Sequence, residues 1–254
     1  MLRRFLGMMA LLVFQQGYAQ KFEQLALTPP MGWNSWNKFA CDGINEEVIR
    51  KTADAMVSSG MKDAGYIYIN IDDTWESQRD ANGVLQTNSK FPDMKALADY
   101  VHSKGLKLGI YSGPGTKTCG GYTASLGHEE QDAKMYAAWG IDYLKYAMCS
   151  GKAFYSTAET VYATDQEMGE ALNATGRDIV YSLCQYGRFD VGSWGRDVGG
   201  HLWRTTGDIE DKYDVMAKIG FDKNGVANHT GPNGWNDPDM LEIGNGGMSF
   251  DEYK

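Results

Sequence analysis

Two adjacent carboxylates, Asp72 and Asp73, close an apolar run that reads YIYINIDDTW. Alternation along such a run makes it a strand. A strand ending in paired acids can grip neighbouring hydroxyls, hold a divalent cation, or cap a turn. Acids recur at the ends of other apolar runs. In LWRTTGD the period of two puts Arg204, Thr206 and Asp208 on one face, where a guanidinium can position and tune a carboxyl group. WNDPDM adds Asp237 and Asp239 around Pro238, and MGWNSW offers Trp33 and Trp36. DYLKYAMC carries a lysine inside a strand pattern, with Tyr143, Lys145, Ala147 and Cys149 on one face. An inward ammonium there needs a partner or a polar ligand. Paired carboxylates with aromatic platforms point to glycoside chemistry, where one carboxyl group is acid/base and another nucleophile or base. The four His residues are scattered, no His or Cys cluster suits a transition metal, and no Ser-His-Asp order stands out. The competing chemistry is a Mg²⁺ or Mn²⁺ site on Asp72, Asp73 and Asp239.

The elements that must position these groups alternate. Strand candidates are MGWNSW, YIYINIDD, KLGIYS, DYLKYA, DIVYSLC, HLWRTTGD and WNDPDML. Between them NEEVIRKTADAMVSSG, DMKALADYVHSKG, HEEQDAKMYAAWG, AETVYATDQEMGEAL and IEDKYDVMAKIG space their apolar residues as helices do, often with a closing glycine. This is βα repetition with a parallel sheet. A doubly wound sheet would carry a Gly-rich phosphate loop after its first strand, and WNSWNKFACDG is not one. Polar residues crowd the C-terminal ends of many strands, which predicts a (β/α)₈ barrel with its loops facing one site. The pattern supplies seven strands and stops at what reads as the opening of the seventh helix. The expectation is therefore a barrel truncated before its eighth strand.

The N-terminal MLRRFLGMMALLVFQQGYAQ has two arginines ahead of an apolar run, then Gly17 and Ala19 at a cleavage site. Residues 1–19 are expected to be a signal peptide, too short to span a bilayer, leaving residues 20–254 as the exported, periplasmic or extracellular barrel. A net charge of −9 argues against nucleic acid and anionic membrane surfaces. The 7 Trp and 15 Tyr suit a sugar-binding surface as well as a core. Four cysteines in an exported chain permit disulfides, and the sequence alone leaves every pairing open.

PPMGWNSWNKFAC, INIDDTW, ADYVHSKGLKLGIYS, WGIDYLKY, WRTTGDI and GWNDPDML together resemble glycoside hydrolase family 27, the α-galactosidases of glycoside hydrolase clan D, from about Leu27 to Lys254. The resemblance implies a retaining exo-glycosidase without cofactor, acting on terminal α-galactosyl residues of oligosaccharides or polysaccharides. It also implies a C-terminal antiparallel β-domain that this chain does not include. By resemblance, Trp36 is the aromatic platform and Asp72 and Asp73 hold the galactose 4- and 6-hydroxyls. Tyr111 and Lys145 line the pocket, Arg204 supports the 2-hydroxyl side, Asp208 is the acid/base and Asp239 closes the site. Cys119 and Cys149 resemble a family disulfide. Three positions depart from the pattern. Thr74 replaces a cysteine, leaving Cys41 without its partner; Gln185 stands where many members carry Glu at the 2-position; and Ala147 replaces the nucleophilic Asp of YLKYD. With one of the two carboxyl groups absent the covalent route is closed. The resulting expectation is a chain that hydrolyses α-galactosides very poorly or not at all. The alternatives are a non-catalytic galactoside-binding protein and a β-L-arabinopyranosidase of the same family.

Overall fold

The computed structural model describes residues 24–222 and 228–253; the expected signal peptide lies outside the described residues. Seven strands form one parallel sheet in chain order: β1 (Gly32–Asn34), β2 (Tyr68–Asn70), β5 (Lys107–Ser112), β6 (Tyr143–Ala147), β7 (Val180–Cys184), β8 (Leu202–Arg204) and β9 (Trp235–Asp237). Each strand pairs in parallel with the next in this series, as βα repetition requires, and β1 and β9 are the sheet's two edges among the described residues. The expected barrel architecture is what is found, with seven strands in the described part.

The helices α2 (Glu46–Ser58), α3 (Met94–Ser103), α4 (Glu129–Trp139), α5 (Ala158–Ala174) and α7 (Tyr213–Asp222) connect them. Local chemistry explains where they begin. The side chains of Asn45, Asp93 and Thr157 accept from the backbone N–H groups of Val48, Ala96 and Thr160, satisfying donors that a helix start leaves over. Gly140 ends α4 in the left-handed conformation (φ 86°). Their buried faces follow the helical period: Ile49, Ala53 and Met56 on α2, and Met94, Leu97, Ala98 and Val101 on α3.

The period of two divides the sheet into two faces. Outward residues Ile69, Leu108, Ile110, Leu144, Tyr146, Tyr181, Leu183 and Trp203 merge with the helix faces in one buried core. Inward, Tyr68, Tyr143, Val180 and Leu202 form a second apolar cluster with Leu25, which floors the sheet at the N-terminal ends of its strands. Above that floor Gly109 lies in register with Asn70 and Tyr143. A Cβ there would fall 1.9 Å from Asn70 Oδ1 and 2.9 Å from Tyr143 Cβ, so the inner layer closes only over a glycine. The polar groups singled out in the sequence sit above this layer, at the C-terminal strand ends.

Two local readings differ from the structure. The strand expected over HLWRTTGD stops at Arg204, and Asp208 stands on the loop beyond it. An antiparallel hairpin, β3 (Glu76–Arg79) with β4 (Leu85–Thr87), fills the connection after β2. Its turn contains Asn82-Gly83 with Gly83 at φ 80°, a signal that sits within a long βα loop.

Candidate functional site

Asp72 is the most heavily bound of the candidates. Its backbone N–H donates to Ser35 Oγ at 2.9 Å, which anchors the end of β2 to the turn after β1. Its Oδ2 accepts from Lys145 Nζ at 2.7 Å and from Asn34 Nδ2 at 2.9 Å, and its Oδ1 accepts from the Asp73 N–H at 2.9 Å. The Lys145 and Asp72 side chains are 16% and 3% exposed. Burial alone would lower the Lys145 pKa, but the charge of Asp72 and its hydrogen bond reverse this, and the ammonium is held above its ordinary value. The lysine inside the strand therefore has its partner just past the end of β2, two strands away.

Asp73 points beside it. The Gly120 N–H donates to its Oδ2 at 2.5 Å, while its buried Oδ1 has no partner among the described residues. Burial pushes its carboxyl group up, and hydrogen bonds from Thr118 and Gly120 oppose that shift. Gly120 passes close over both side chains: a Cβ there would lie 2.9 Å from Cys41 Sγ and 3.2 Å from Asp73 Oδ2. Cys41 is a free thiol, and the Thr74 hydroxyl donates to its carbonyl at 3.1 Å.

The opposite wall is built around Arg204, whose side chain is 3% exposed. Its Nη2 reaches Asp208 Oδ1 and Asp239 Oδ2, both at 3.0 Å, and donates to the Thr206 carbonyl at 3.2 Å. Asp239, at φ 84°, also accepts from the Ile209 N–H at 2.9 Å, which ties β9's end to the loop bearing Asp208. The Asp208 side chain remains 73% exposed. One guanidinium thus holds an enclosed acid and an open one, leaving the open carboxyl group able to exchange a proton with a molecule entering from solvent. Asp237 lies lower on β9; burial raises its pKa and Arg204 opposes that rise.

Between the two walls lies the end of β6. Ala147 is 3% exposed and packs with Tyr111 and Cys184 on the flanking strands, and Tyr186 covers the group. Cys119 and Cys149 form a disulfide with a Cα–Cα distance of 5.2 Å, as the resemblance implied. The Tyr111 hydroxyl contacts Cys119 Sγ at 2.9 Å and the Tyr186 hydroxyl contacts Cys149 Sγ at 3.2 Å. Trp36, on the short helix α1 (Trp36–Phe39), is half-buried, with its backbone N–H donating to Asn34 Oδ1 at 2.9 Å.

Gln185 is the exception among the expected residues. It is 1% exposed and donates through Nε2 to Asp165 on α5, so its side chain turns outward into the sheet–helix layer. The period of two accounts for this, since Cys184 takes the inward position before it. Tyr186, Asn34 and Ser35 were missed by the sequence reading. Tyr186 carried no strand-end acid to mark it, and at φ 57° it turns back over the pocket by a route periodicity does not reveal. The acids of the alternative cation reading are divided between Lys145 and Arg204, and among the described residues no three His, Cys, Asp or Glu are grouped to hold a metal.

The model for the family described as Alpha galactosidase A matches residues 28–254. The chain is 53% identical to an alpha-galactosidase of Cyamopsis tetragonoloba over 234 residues, which are 91% of this chain and 55% of that one. The crystal structure of alpha-galactosidase I from Mortierella vinacea superposes with a TM-score of 0.87 at 41% identity, over 91% of this chain and 64% of that one. A Saccharomyces cerevisiae α-galactosidase structure determined with raffinose gives 0.85 at 38% identity, over 90% and 55%. The chain spans little more than half the length of the curated relatives it matches.

Proposed function

This chain belongs to the alpha-galactosidase A family, glycoside hydrolase family 27, and on that premise we propose that its pocket recognises terminal α-galactosyl groups but hydrolyses them poorly. Asp72 and Asp73 offer acceptors to two neighbouring sugar hydroxyls, and Lys145 stands within reach of the same hydroxyls as a donor. Asp208, open to solvent and steadied by Arg204, is the acid that protonates the leaving oxygen and the base that later activates water. Trp36 gives the ring a face to rest on. The raffinose bound to the Saccharomyces relative supports a galactoside as ligand.

The observation that carries the reading is Ala147. A retaining glycosidase needs two carboxyl groups about 5–5.5 Å apart, one of which attacks the anomeric carbon. The inward end of β6 presents a methyl group at that position, enclosed by Tyr111 and Cys184, whose hydroxyl and thiol burial holds protonated above their ordinary ranges. Nothing at this point can form the covalent intermediate. Turnover of an aryl α-galactoside by this chain should be at least ~10⁴-fold below that of Ala147→Asp, a barrier difference of about 5.5 kcal/mol. Equal rates would overturn the reading. Calorimetric titration with galactose tests the recognition half separately. An exported location is part of this proposal, supported by the leader-like pattern of residues 1–19 and by a disulfide that suits an oxidising compartment.

A further inference from the structure

Behind the pocket, in the layer between sheet and helices, three buried polar atoms have no hydrogen-bond partner among the described residues: Asp165 Oδ1, Gln185 Oε1 and the Tyr146 hydroxyl. Asp165, on α5, and Gln185, just past β7, are 0% and 1% exposed. Gln185 Nε2 donates to Asp165 Oδ2, and among the described residues no cation pairs with that carboxyl group. The titratable groups around it are Tyr181 from β7, whose hydroxyl donates to the Asp165 carbonyl at 3.1 Å, Tyr146 from β6 and Glu129 from α4. None of them supplies a positive charge, and burial pushes the Asp165 carboxyl group well above the usual range.

A carboxylate enclosed without a cation is far costlier there than a neutral acid. A proton on Oδ1 removes the charge and creates a donor, and Gln185 Oε1 is the partnerless acceptor of the same pair. An amide suits this neighbour where a second acid does not, because two carboxyl groups enclosed together compete for one proton. That gives a physical reason for Gln185 at a position where the resembling pattern carries Glu.

The pair bears on the pocket through its neighbours in the chain. Cys184 packs with Ala147 and Tyr111, and Tyr186 lies over the group. Tyr186 and Gly187 turn at φ 57° and 71°, where strand alternation no longer sets direction. Gln185 is gripped from the opposite face, so its bond to α5 fixes how this turn presents Tyr186, whose hydroxyl contacts Cys149 Sγ at 3.2 Å. Resting on the galactose-recognition reading above, we infer that Asp165 is a neutral acid paired at two points with Gln185, and that this positioning pair holds Cys184 and Tyr186 in place around the sugar.

An unfolded Asp gives up its proton near pH 3.9, roughly, whereas the enclosed acid keeps it to a higher pH. The folded chain then binds the extra proton, so the contribution of Asp165 to stability is full below about pH 4 and is lost as pH rises, by up to about tenfold in the unfolding constant per pH unit. Asp165→Asn keeps both hydrogen bonds and has no proton to lose. Urea titrations of the full chain and of Asp165→Asn, from about pH 5 to about pH 7.5, read this as a difference in which groups common to both cancel. The wild type should lose at least about tenfold in folding constant relative to Asp165→Asn over that range, and parallel profiles would overturn the neutral acid. Calorimetric titration with galactose reads the positioning. Asp165→Asn should bind within about twofold of wild type and Asp165→Leu at least about tenfold more weakly, and undiminished affinity in Asp165→Leu would overturn the positioning role. Should that variant not fold, Gln185→Met breaks the same pair and carries the same two outcomes. If the wild type does not bind galactose, the recognition reading fails, while the stability profiles still decide the protonation of Asp165.

Discussion

Replacing Lys145 with Met removes the cation from a pair that is almost wholly enclosed. At 2.7 Å and an effective dielectric of about 20, the gross attraction between Lys145 and Asp72 is roughly 6 kcal/mol. Much of that is spent on desolvating both groups, and breaking such pairs by removing one partner typically costs about 3–5 kcal/mol. Here the cost should fall at the lower end, about 3 kcal/mol, because the stranded carboxylate keeps Asn34 Nδ2 and the Asp73 N–H. With a urea slope of about 3 kcal/mol/M for a chain of this size, the unfolding midpoint should drop by roughly 1 M. Asp72→Asn with Lys145→Met leaves no charge uncompensated and should recover most of the loss, giving a coupling of about 2 kcal/mol in the double-mutant cycle. A midpoint shift under about 0.3 M for Lys145→Met, or a cycle without coupling, would show that the strand's lysine is not held by Asp72.

Three other perturbations follow from the geometry. His201 is buried and its pKa is depressed from 6.5 to about 4, by burial first and by Arg196 second, while its Nδ1 accepts from the Tyr181 N–H at 3.0 Å. Its stabilising contribution, roughly 3 kcal/mol, is complete above pH 6.5 and is lost as pH falls toward 4, because only the unfolded chain takes the proton readily. His201→Gln should flatten the loss of stability between pH 7.5 and 4.5 in urea titrations; an unchanged slope would refute this. Cys149→Ser should lower the melting temperature by about 10 °C, from about 3–4 kcal/mol of chain entropy across a separation of 30 residues, and a shift below about 2 °C would contradict it. Gly109→Ala should destabilise by about 1–3 kcal/mol while Gly207→Ala, which meets nothing within 4 Å, stays within about 0.5; equal effects would sink the packing argument.

The fold was legible because each strand and helix carries its own period, and β5, with buried Leu108 and Ile110, could hardly be anything else. The floor and walls of the site were legible wherever a polar residue sat on a strand: Lys145 and Arg204 are where the period of two puts them. Periodicity fails where the strand stops. Asp208 lies four residues past the end of β8, and it meets Arg204 through loop geometry, not strand alternation. Gln185, one residue beyond β7, was assigned to the site by family pattern, whereas the strand's own alternation sends it to Asp165. Tyr186 depends on a positive-φ turn that strand periodicity does not mark, whereas the β3–β4 hairpin carries a local signal, Asn82-Gly83, inside a connection where βα repetition leads one to expect only a loop and a helix.

The disulfide has a consequence for the order in which the molecule is made. Cys119 follows β5 and Cys149 follows β6, so the loop that the bond closes holds α4 and β6 and fastens the end of β6 to the segment after β5. That loop can be oxidised as soon as residue 149 has emerged, before β7, β8 or β9 exists, and an N-terminal segment generally folds first during synthesis. Tyr111 and Ala147, on the two strands it staples, are thereby set in place early. Lys145 comes with them and meets Asp72, already synthesised 73 residues before it. The chain thus finishes the Asp72–Lys145 side of its pocket around a covalently fastened pair of strands, and the strands that bring Arg204 and Asp239 arrive to a template already formed.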